Sequence, residues 1–271
     1  MRIDQLLVAR QLASTRSQAQ RLIADGVEWL QDPLTATWKR IQKNGDDVPE
    51  SAQIRLLDDS EARYVSRGGL KLEAALKHIA LKVEGLDGLD VGQSTGGFTD
   101  CLLQHGAQSV VGVDVGSEQL HPHIRNDERV LCVEKVNARA LDTTDLIAAC
   151  AGYTGAGGLF DPEISDPEGR DWAFDVIVAD LSFISQTLVL PAVVPFLKLG
   201  GTLLTLVKPQ FELQPGQVGK GGIVKDASYY PQIEQRLRDC CADLGLTVTH
   251  WFDSPIAGGD GNREFFIAAK K

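Results

Sequence analysis

Apolar runs of strand length alternate with helical segments from about residue 86 onward, and this alternation constrains the fold more than any other feature. Strands that are joined by helices pair in parallel, so the pattern predicts an α/β fold with a mostly parallel sheet covered on both faces. The last two runs are joined by a loop alone and predict an antiparallel pair at one edge. The seven predicted strands are residues 86–91, 109–114, 130–134, 174–180, 202–207, 247–252 and 264–269.

A smaller unit precedes this pattern. The pattern of apolar residues over 1–59 predicts two short helices followed by short strands. Thr15 begins a capping-box pattern at the start of the second helix. A polar stretch, residues 58–61, follows. We therefore predict a small N-terminal α+β domain over residues 1–59 and a second domain over residues 60–271. The segment 151–172 is rich in Gly, Pro and Asp and predicts a solvent loop before the fourth strand.

The composition excludes several classes of protein. Apolar residues make up 43% of the 271 residues, which is enough to bury a core, yet no uninterrupted apolar run is long enough to span a membrane. The charged N-terminal segment does not resemble a secretion signal. The five cysteines are scattered without metal-type spacing, which is typical of reduced thiols in the cytosol. We expect a cytoplasmic protein with no membrane span and no metal site.

The N-terminal segment is locally basic although the chain has a net charge of −10. Before residue 24, Arg2, Arg10, Arg16 and Arg21 accompany a single acid, Asp4. Nucleic-acid binding depends on where charges lie rather than on their sum, so these four arginines are candidates for RNA contacts. The alternative is a solvated helix face.

A glycine-rich turn follows the first strand and opens a helix, in the segment LDVGQSTGGFT. Glycines there let backbone N–H groups approach a ligand closely, and a helix N-terminus favours negative charge or lone pairs. Asp114 ends the second strand, where a carboxylate can hold two ribose hydroxyls. The spacing G-x-x-x-G-G differs from that of a dinucleotide site, and Asp90, just before Gly92, can face a cationic amino-acid group. A glycine-rich turn without a ligand is the alternative.

Two further motifs place a charged side chain at the end of a buried strand. Asp180 ends the fourth strand in VADLSF, and Lys208 ends the fifth in LVKPQFE. Side chains at the carboxyl ends of parallel strands face the ligand crevice. The alternatives are a helix cap for Asp180 and a lysine that extends to solvent for Lys208. The Asp/Asn-Pro-Pro-Tyr pattern of base-amine methylation and the cysteine motifs of attack on cytosine carbon are absent from the sequence.

Taken as a set, six motifs resemble those of the TlyA family, which comprises haemolysin A-like proteins and ribosomal RNA 2′-O-methyltransferases. They are SRGGLKL, DVGQSTGGFTD, VADLSFIS, LVKPQFE, GGIVKD and GNREFF. The likeness covers essentially the whole chain. The second domain resembles the FtsJ group, which implies a Rossmann-like methyltransferase fold, and residues 1–59 resemble the alpha-L RNA-binding domain. Gln93 stands where we expect a small residue.

The resemblance implies S-adenosylmethionine as cofactor and ribosomal RNA or a ribosomal subunit as partner. It places the family's catalytic tetrad on Lys71, Asp180, Lys208 and Glu264. A ribose hydroxyl is a poor nucleophile, so the enzyme must align it and help to remove its proton. A desolvated lysine beside a second lysine can have a lowered pKa and accept that proton. The residues expected to hold the cofactor are Asp90, Gly92, Ser94, Gly96, Gly97, Phe98, Asp114, Asn137 and Asp180.

Other interpretations stay open for single residues and for the chain. Taken alone, Lys71 is consistent with a lysine on the exposed face of a helix, and Glu264 is consistent with a charged residue on an edge strand. The alternative functions are a membrane-active haemolysin, a ribosome-binding protein without turnover, and a nicotinamide dehydrogenase. An acidic chain with no apolar span or basic amphipathic helix gives the first of these little physical support.

Overall fold

The chain divides into two units, residues 1–70 and 71–271, in a computed structural model. The structure describes residues 1–32, 34, 36–57, 62–153, 160, 166–258 and 261–271. The predicted boundary between residues 59 and 60, with the polar stretch around it, lies outside the described residues.

The first unit packs two helices and a small antiparallel sheet around one apolar core. Leu7, Leu22 and Val27 are fully buried in that core. The strands lie in the order β2-β1-β3, with both neighbours antiparallel to β1. The elements are α1 (Ile3–Ala9), α2 (Arg16–Gly26), β1 (Val27–Asp32), β2 (Thr37–Arg40) and β3 (Ile54–Leu56).

Half of the predicted capping box forms at the start of α2. The Thr15 hydroxyl accepts a hydrogen bond from the Gln18 N–H at 3.2 Å. The Gln18 side chain accepts from the Ser14 N–H at 2.6 Å instead of reaching the N–H of Thr15. Its amide nitrogen donates to the Tyr64 carbonyl at 3.1 Å. Gln18 is buried, so its side chain satisfies neighbouring backbone groups that water does not reach.

The second unit is built on a seven-stranded sheet, counted over the described ranges, with the order β6-β5-β4-β7-β8-β10-β9. Strands β4 to β8 pair in parallel. Helix α3 begins before residue 71 and continues into this unit. The elements are α3 (Arg67–His78), β4 (Asp87–Val91), α4 (Gly97–Gln104), β5 (Ser109–Asp114), α5 (Pro122–Arg125), β6 (Val130–Glu134), α6 (Thr143–Cys150), β7 (Phe174–Asp180), α7 (Leu190–Val193), β8 (Leu197–Val207), α8 (Pro209–Glu212), α9 (Tyr229–Asp243), β9 (Thr247–Asp253) and β10 (Phe265–Lys270).

The predicted α/β class and the antiparallel pair at one edge are confirmed. Strand β10 lies between β8 and β9 and is antiparallel to both. Because β9 forms the outer edge, β10 is an interior strand, and residues 265–269 are buried. This arrangement brings the start of β10 next to the end of β8, where Phe265 faces Val207.

Two sequence expectations need correction. Strand β8 begins at Leu197 rather than at residue 202, because Phe174 of β7 pairs with Leu197 and Val176 pairs with Thr202, so the residues between them, with the glycine pair 200–201, form an irregularity within the strand. The predicted solvent loop 151–172 holds buried aromatic side chains. Phe160 is 1% exposed and Trp172 6% exposed, and their rings stack with centroids 6.4 Å apart. Residues 154–159 and 161–165 of that loop lie outside the described residues.

Within the described ranges, no helix combines the length and the apolar character needed to cross a membrane.

Candidate active site

A cavity of about 550 Å³ opens at the carboxyl ends of the parallel strands in the second unit. Its volume falls within the roughly 300–1,000 Å³ typical of small-molecule sites. Of the predicted cofactor residues, Gly92, Ser94, Asp114, Asn137 and Asp180 line it. The other lining residues are Val113, Val115, Gln119, Val136, Ala138, Leu181, Ser182, Phe183, Ile184 and Val189. The predicted residues that do not line it are Asp90, Gly96, Gly97 and Phe98, which lie in β4 and at the start of α4.

The glycine-rich turn brings its backbone close to neighbouring elements. Gly92 has a φ of +84°, and a Cβ atom there would lie 2.8 Å from the Asp180 carbonyl oxygen. Gly96 has a φ of +94° and caps α4, and a Cβ atom there would meet Leu120 at 2.7 Å. A side chain is therefore excluded at both positions by conformation and by space. The glycines therefore let the turn pack closely against β7 on one side and Leu120 on the other.

Asp114 is held by backbone groups at the cavity wall. Its two carboxylate oxygens accept hydrogen bonds from the N–H groups of Ser94 and Gly116, each at 2.7 Å. A carboxylate oxygen accepts more than one hydrogen bond, so both oxygens keep capacity for hydroxyl donors. Asn137 lines the same cavity, while its side-chain oxygen accepts from the Arg139 N–H at 3.1 Å. Both groups are fixed in orientation before a ligand arrives.

Asp90 is fully buried, and its carboxylate is only partly satisfied. Oδ2 accepts a hydrogen bond from the Thr99 hydroxyl at 2.7 Å. Oδ1 has no hydrogen-bond partner among the described residues. Burial raises the pKa of Asp90 to about 7, and the hydrogen bond from Thr99 opposes that shift. A buried acid with an unused oxygen is suited to a cationic group.

Gln93, which replaces an expected small residue, points away from the cavity. Its side chain is buried and donates to the Thr99 hydroxyl at 2.9 Å. A Cβ atom on Gly112 would lie 1.9 Å from the Gln93 amide nitrogen. The absence of a side chain at Gly112 therefore makes room for Gln93, and the larger residue leaves the ligand side of the turn open.

The four predicted catalytic residues form two ion pairs. Lys71 Nζ lies 2.5 Å from Glu264 Oε2, and Lys208 Nζ lies 2.6 Å from Asp180 Oδ1. Lys208 also donates to the Ser182 hydroxyl at 2.9 Å. Lys71 is 7% exposed and Glu264 is 3% exposed. Lys71 is therefore not a surface lysine, and Glu264 is not an exposed charge on an edge strand. Each ammonium has its own carboxylate, which counters the repulsion expected between two lysines.

Glu264 joins the two pairs into one cluster. Burial raises its pKa, while the Lys71 hydrogen bond and charge and the Lys208 charge oppose the shift, and the Asp180 charge adds to it. The three other charges of the cluster therefore all act on the Glu264 carboxyl group. The cluster reaches the cavity wall through Asp180. In the part of the chain that the structure describes, no group of His, Cys, Asp and Glu side chains is arranged to hold a metal ion.

Two residues beside the cluster were missed by the sequence analysis. Ser182 contacts Lys208, as described above, and Phe183 is 89% exposed with a φ of +64°. The Phe183 ring lies 4.9 Å from that of Phe211, centroid to centroid. An exposed aromatic residue in a strained conformation is a functional candidate. Its place in VADLSF, three residues after the strand-end acid Asp180, was the available signal.

The structure brings together two of the four predicted RNA-binding arginines. Arg2 donates twice to the buried Asp4 carboxylate, each time at 3.0 Å, and Arg16 donates to it at 2.8 Å. Arg10 instead donates to the backbone carbonyls of residues 50 and 52. Arg21 is half-buried on α2. The Arg2 and Arg16 side chains are 45% and 55% exposed, so they keep N–H groups for a ligand.

The fold and the site together define a class of protein. The sheet is parallel except for one inserted strand, a glycine turn follows its first strand, and an acid ends the second. These are the features of a Rossmann-like methyltransferase, not of a nicotinamide dehydrogenase.

Comparisons with known proteins agree with that class. The family model for FtsJ-like methyltransferases matches residues 64–271, and the S4 domain model matches residues 1–26. TlyA of Mycobacterium tuberculosis, named a 16S/23S rRNA (cytidine-2′-O)-methyltransferase, is 38% identical over 98% of this chain and 88% of the relative. The chain therefore belongs to the TlyA-like branch of the FtsJ-like methyltransferase family.

Two further relatives carry the haemolysin name. Hemolysin A of Brachyspira hyodysenteriae is 34% identical over 98% of both chains. A solved structure from Streptococcus thermophilus, provisionally named a haemolysin, is 35% identical and matches 100% of this chain and 88% of that one, with a TM-score of 0.69. The resemblance on which the sequence analysis relied is confirmed over the whole chain.

Proposed function

We propose that this protein transfers a methyl group from S-adenosylmethionine to a ribose 2′-hydroxyl of ribosomal RNA. The observation that carries the proposal is the cluster of Lys71, Asp180, Lys208 and Glu264 beside the cavity of the glycine turn. The substrate class follows from the M. tuberculosis relative, whose name states rRNA 2′-O-methylation. We expect ribosomal RNA or a ribosomal subunit in the cytoplasm to be its partner.

The residues present fit the cofactor. Asp114 offers fixed carboxylate oxygens to ribose hydroxyls, and Asn137 lines the same wall. Asp90 offers a buried, unused oxygen to the cationic amino group. Gly92, Ser94, Gly96, Gly97 and Phe98 would form the turn and helix start around it. When bound, the cofactor supplies a methyl group on a sulfonium, which is already a good leaving group.

The chain's own residues then have to place the hydroxyl and remove its proton. Lys208 in its neutral amine form is the proton acceptor and becomes an ammonium in the step, and Asp180 and Ser182 hold its Nζ in position. Lys71 and Glu264 fix the hydroxyl and the ribose from the other side of the cluster. Alignment and proton removal are the two contributions that an otherwise poor nucleophile requires.

The first unit supplies RNA affinity through exposed arginines. The buried Asp4 fixes Arg2 and Arg16 while leaving much of each guanidinium in solvent. Arginine in this state forms charge-assisted hydrogen bonds to phosphate oxygens. We assign to Arg21 a secondary phosphate contact, and to Arg10 chiefly the support of residues 50–52.

Mapping ribose methylation in ribosomal RNA from cells with and without the gene tests the proposal. We expect at least one 2′-O-methyl group to disappear with the gene and to return with the wild-type gene but not with Lys208→Ala. A methylation map that is identical in both strains, with purified protein that also fails to methylate either ribosomal subunit, would overturn the proposed function.

A further inference from the structure

Glu212 is a buried carboxylate close to the active site that has no role in the proposed chemistry. It is 4% exposed and ends α8. Its Oε1 accepts a hydrogen bond from the Gln186 N–H at 2.8 Å, and its Oε2 accepts from the Ser185 hydroxyl at 2.6 Å. Arg236 reaches it from the exposed side, with Nη2 3.4 Å from Oε2. Glu212 does not line the cavity.

The two loop residues that Glu212 holds end the segment that forms one wall of the active site. Residues 181–184 line the cavity, and Ser182 in that segment accepts the hydrogen bond from Lys208. Phe183 has a left-handed φ of +64°, which a non-glycine residue keeps only where the surroundings hold it. The bonds to Ser185 and Gln186 fix the segment just beyond this strained residue.

Gln186 also connects the same segment to β8. Its side-chain nitrogen donates to the Leu206 carbonyl at 2.7 Å, and its side-chain oxygen accepts from the Thr205 hydroxyl at 2.6 Å. Strand β8 ends at the residue before Lys208, and α8 begins directly after it. Glu212 and Gln186 therefore join the segment that carries Ser182 to both sides of Lys208 in the chain.

We propose that Glu212 is a positioning residue, which holds the loop after β7 against α8 and so sets the geometry of Ser182 and Asp180 around Lys208. The expected effect on the rate of methyl transfer rests on the proposed function, whereas the expected effect on the loop after β7 does not. Loss of this contact lets the loop shift, and a displacement of about 1 Å at reacting groups reduces the rate by up to about 10²-fold. The walls formed by Asp114 and Asn137 keep their own hydrogen bonds, so cofactor affinity changes less than turnover.

Four full-length variants separate positioning from general stability. Glu212→Ala removes both loop contacts and should lower kcat by about 10–100-fold with little change in KM for ribosomal RNA. Glu212→Gln keeps an acceptor for the Gln186 N–H and an amide that the Ser185 hydroxyl can accept from, so it should restore most of kcat. Ser185→Ala removes one contact and should have an intermediate effect. Arg238→Met is the matched control, because Arg238 lies on the same helix as Arg236 but pairs with Glu234 and not with Glu212, so both loop contacts stay in place and kcat should stay as in the wild type.

Hydrogen exchange gives a second measurement that needs no activity. Glu212→Ala should speed exchange of the Gln186 amide in peptide 181–187, while peptides of the Gly92 turn stay as in the wild type. Unchanged exchange at Gln186, or an Arg238→Met variant as impaired as Glu212→Ala, would refute the positioning role. Wild-type kcat in Glu212→Ala would do the same, provided the wild-type protein methylates ribosomal RNA. If the wild type is inactive on ribosomal RNA, the proposed function fails and the exchange result alone decides the inference.

Discussion

The two units each contain a fully buried aspartate, and the two residues differ in what surrounds them. Asp4 in the first unit binds two arginines, and the Arg2 hydrogen bond above all lowers its pKa to about 2. Asp90 in the second unit has one hydroxyl donor, and burial raises its pKa to about 7. A buried carboxylate is stable when a cation lies beside it. Without a cation, burial favours the protonated, neutral acid. Asp4 is therefore compensated by cations of its own unit, whereas Asp90 keeps one oxygen without a hydrogen-bond partner among the described residues.

The cluster of Lys71, Asp180, Lys208 and Glu264 falls between these two cases. Asp180 and Glu264 each have a lysine partner, as Asp4 has its arginines. Asp180 Oδ1 nevertheless makes no hydrogen bond of good geometry with the described residues, although Lys208 Nζ lies close to it. The first unit thus leaves two arginines exposed to solvent, while the second leaves two carboxylate oxygens buried without a hydrogen bond from the described residues.

Changes at Lys208 should have the largest effect. Lys208→Ala should bind cofactor and RNA nearly as well as wild type but lose about 10²–10⁴-fold in single-turnover methyl transfer, because it lacks the proton acceptor. Lys208→Arg should fail almost as badly, because a guanidinium stays protonated. Lys82→Ala, at an exposed lysine, serves as the control. Methyl transfer by Lys208→Arg at near the wild-type rate would reduce Lys208 to an electrostatic role.

Breaking the buried Lys71–Glu264 pair should have the next largest effect, on stability. Removing one partner of a buried ion pair leaves an uncompensated charge and costs roughly 3–5 kcal/mol. Lys71→Met should lower the free energy of unfolding by about this amount in denaturant titrations. Lys71→Met combined with Glu264→Gln should recover most of the stability but no activity. If Lys71→Met is as stable as an Arg16→Ala variant, which leaves Asp4 with Arg2 as its other partner, the contrast between the two units is wrong.

The sheet could be predicted from the sequence because its strands are local apolar runs. The bounds of β5, β6 and β7 match the predicted strands, and each of these strands ends on an acidic residue, Asp114, Glu134 or Asp180, that follows its apolar run. The early start of β8 could not be predicted, because it depends on how β7 pairs with residues on both sides of a glycine pair. The burial of Phe160 depends likewise on distant core residues.

The residues of the candidate site also fall into those that the local sequence predicts and those that it does not. Asp180 and Lys208 could be found because each ends an apolar strand. The burial of Lys71 could not, because its partner Glu264 lies 193 residues away in the chain. Glu212 and Gln186 were missed for the same reason, since their contacts join loops that no local pattern connects.

Asp90 should give the cofactor site a pH dependence. Its pKa is higher in the folded protein than the roughly 3.9 of an unfolded chain, so the folded state binds the additional proton between about pH 4 and pH 7. Stability contributed by this proton is lost as pH rises towards 7, with a slope of up to about 1.4 kcal/mol per pH unit. A cationic ligand requires the ionised acid, so S-adenosylmethionine should bind up to about tenfold more weakly per pH unit below 7.

Asp90→Asn is the variant that isolates this effect. We expect it to bind the cofactor weakly at pH 8 and to lose the wild-type pH dependence of binding between pH 5.5 and 7 in calorimetry. It should also remove the extra stability of the wild type at acidic pH. A cofactor affinity of wild-type protein that stays constant over this range would show that Asp90 does not meet a cationic group.

The smallest effects should come from the exposed arginines of the first unit, and they should appear as salt dependence. Each phosphate contact adds roughly 0.7–0.9 to the slope of log K against log salt. Arg2→Ala and Arg16→Ala should each reduce that slope for ribosomal RNA binding by about this amount, without changing methyl transfer at saturating RNA. Arg10→Ala is the matched control, because its guanidinium binds carbonyl oxygens of its own unit, so the slope should stay constant. Equal slopes for Arg2→Ala, Arg16→Ala and wild type would show that Asp4 organises these arginines for the fold alone.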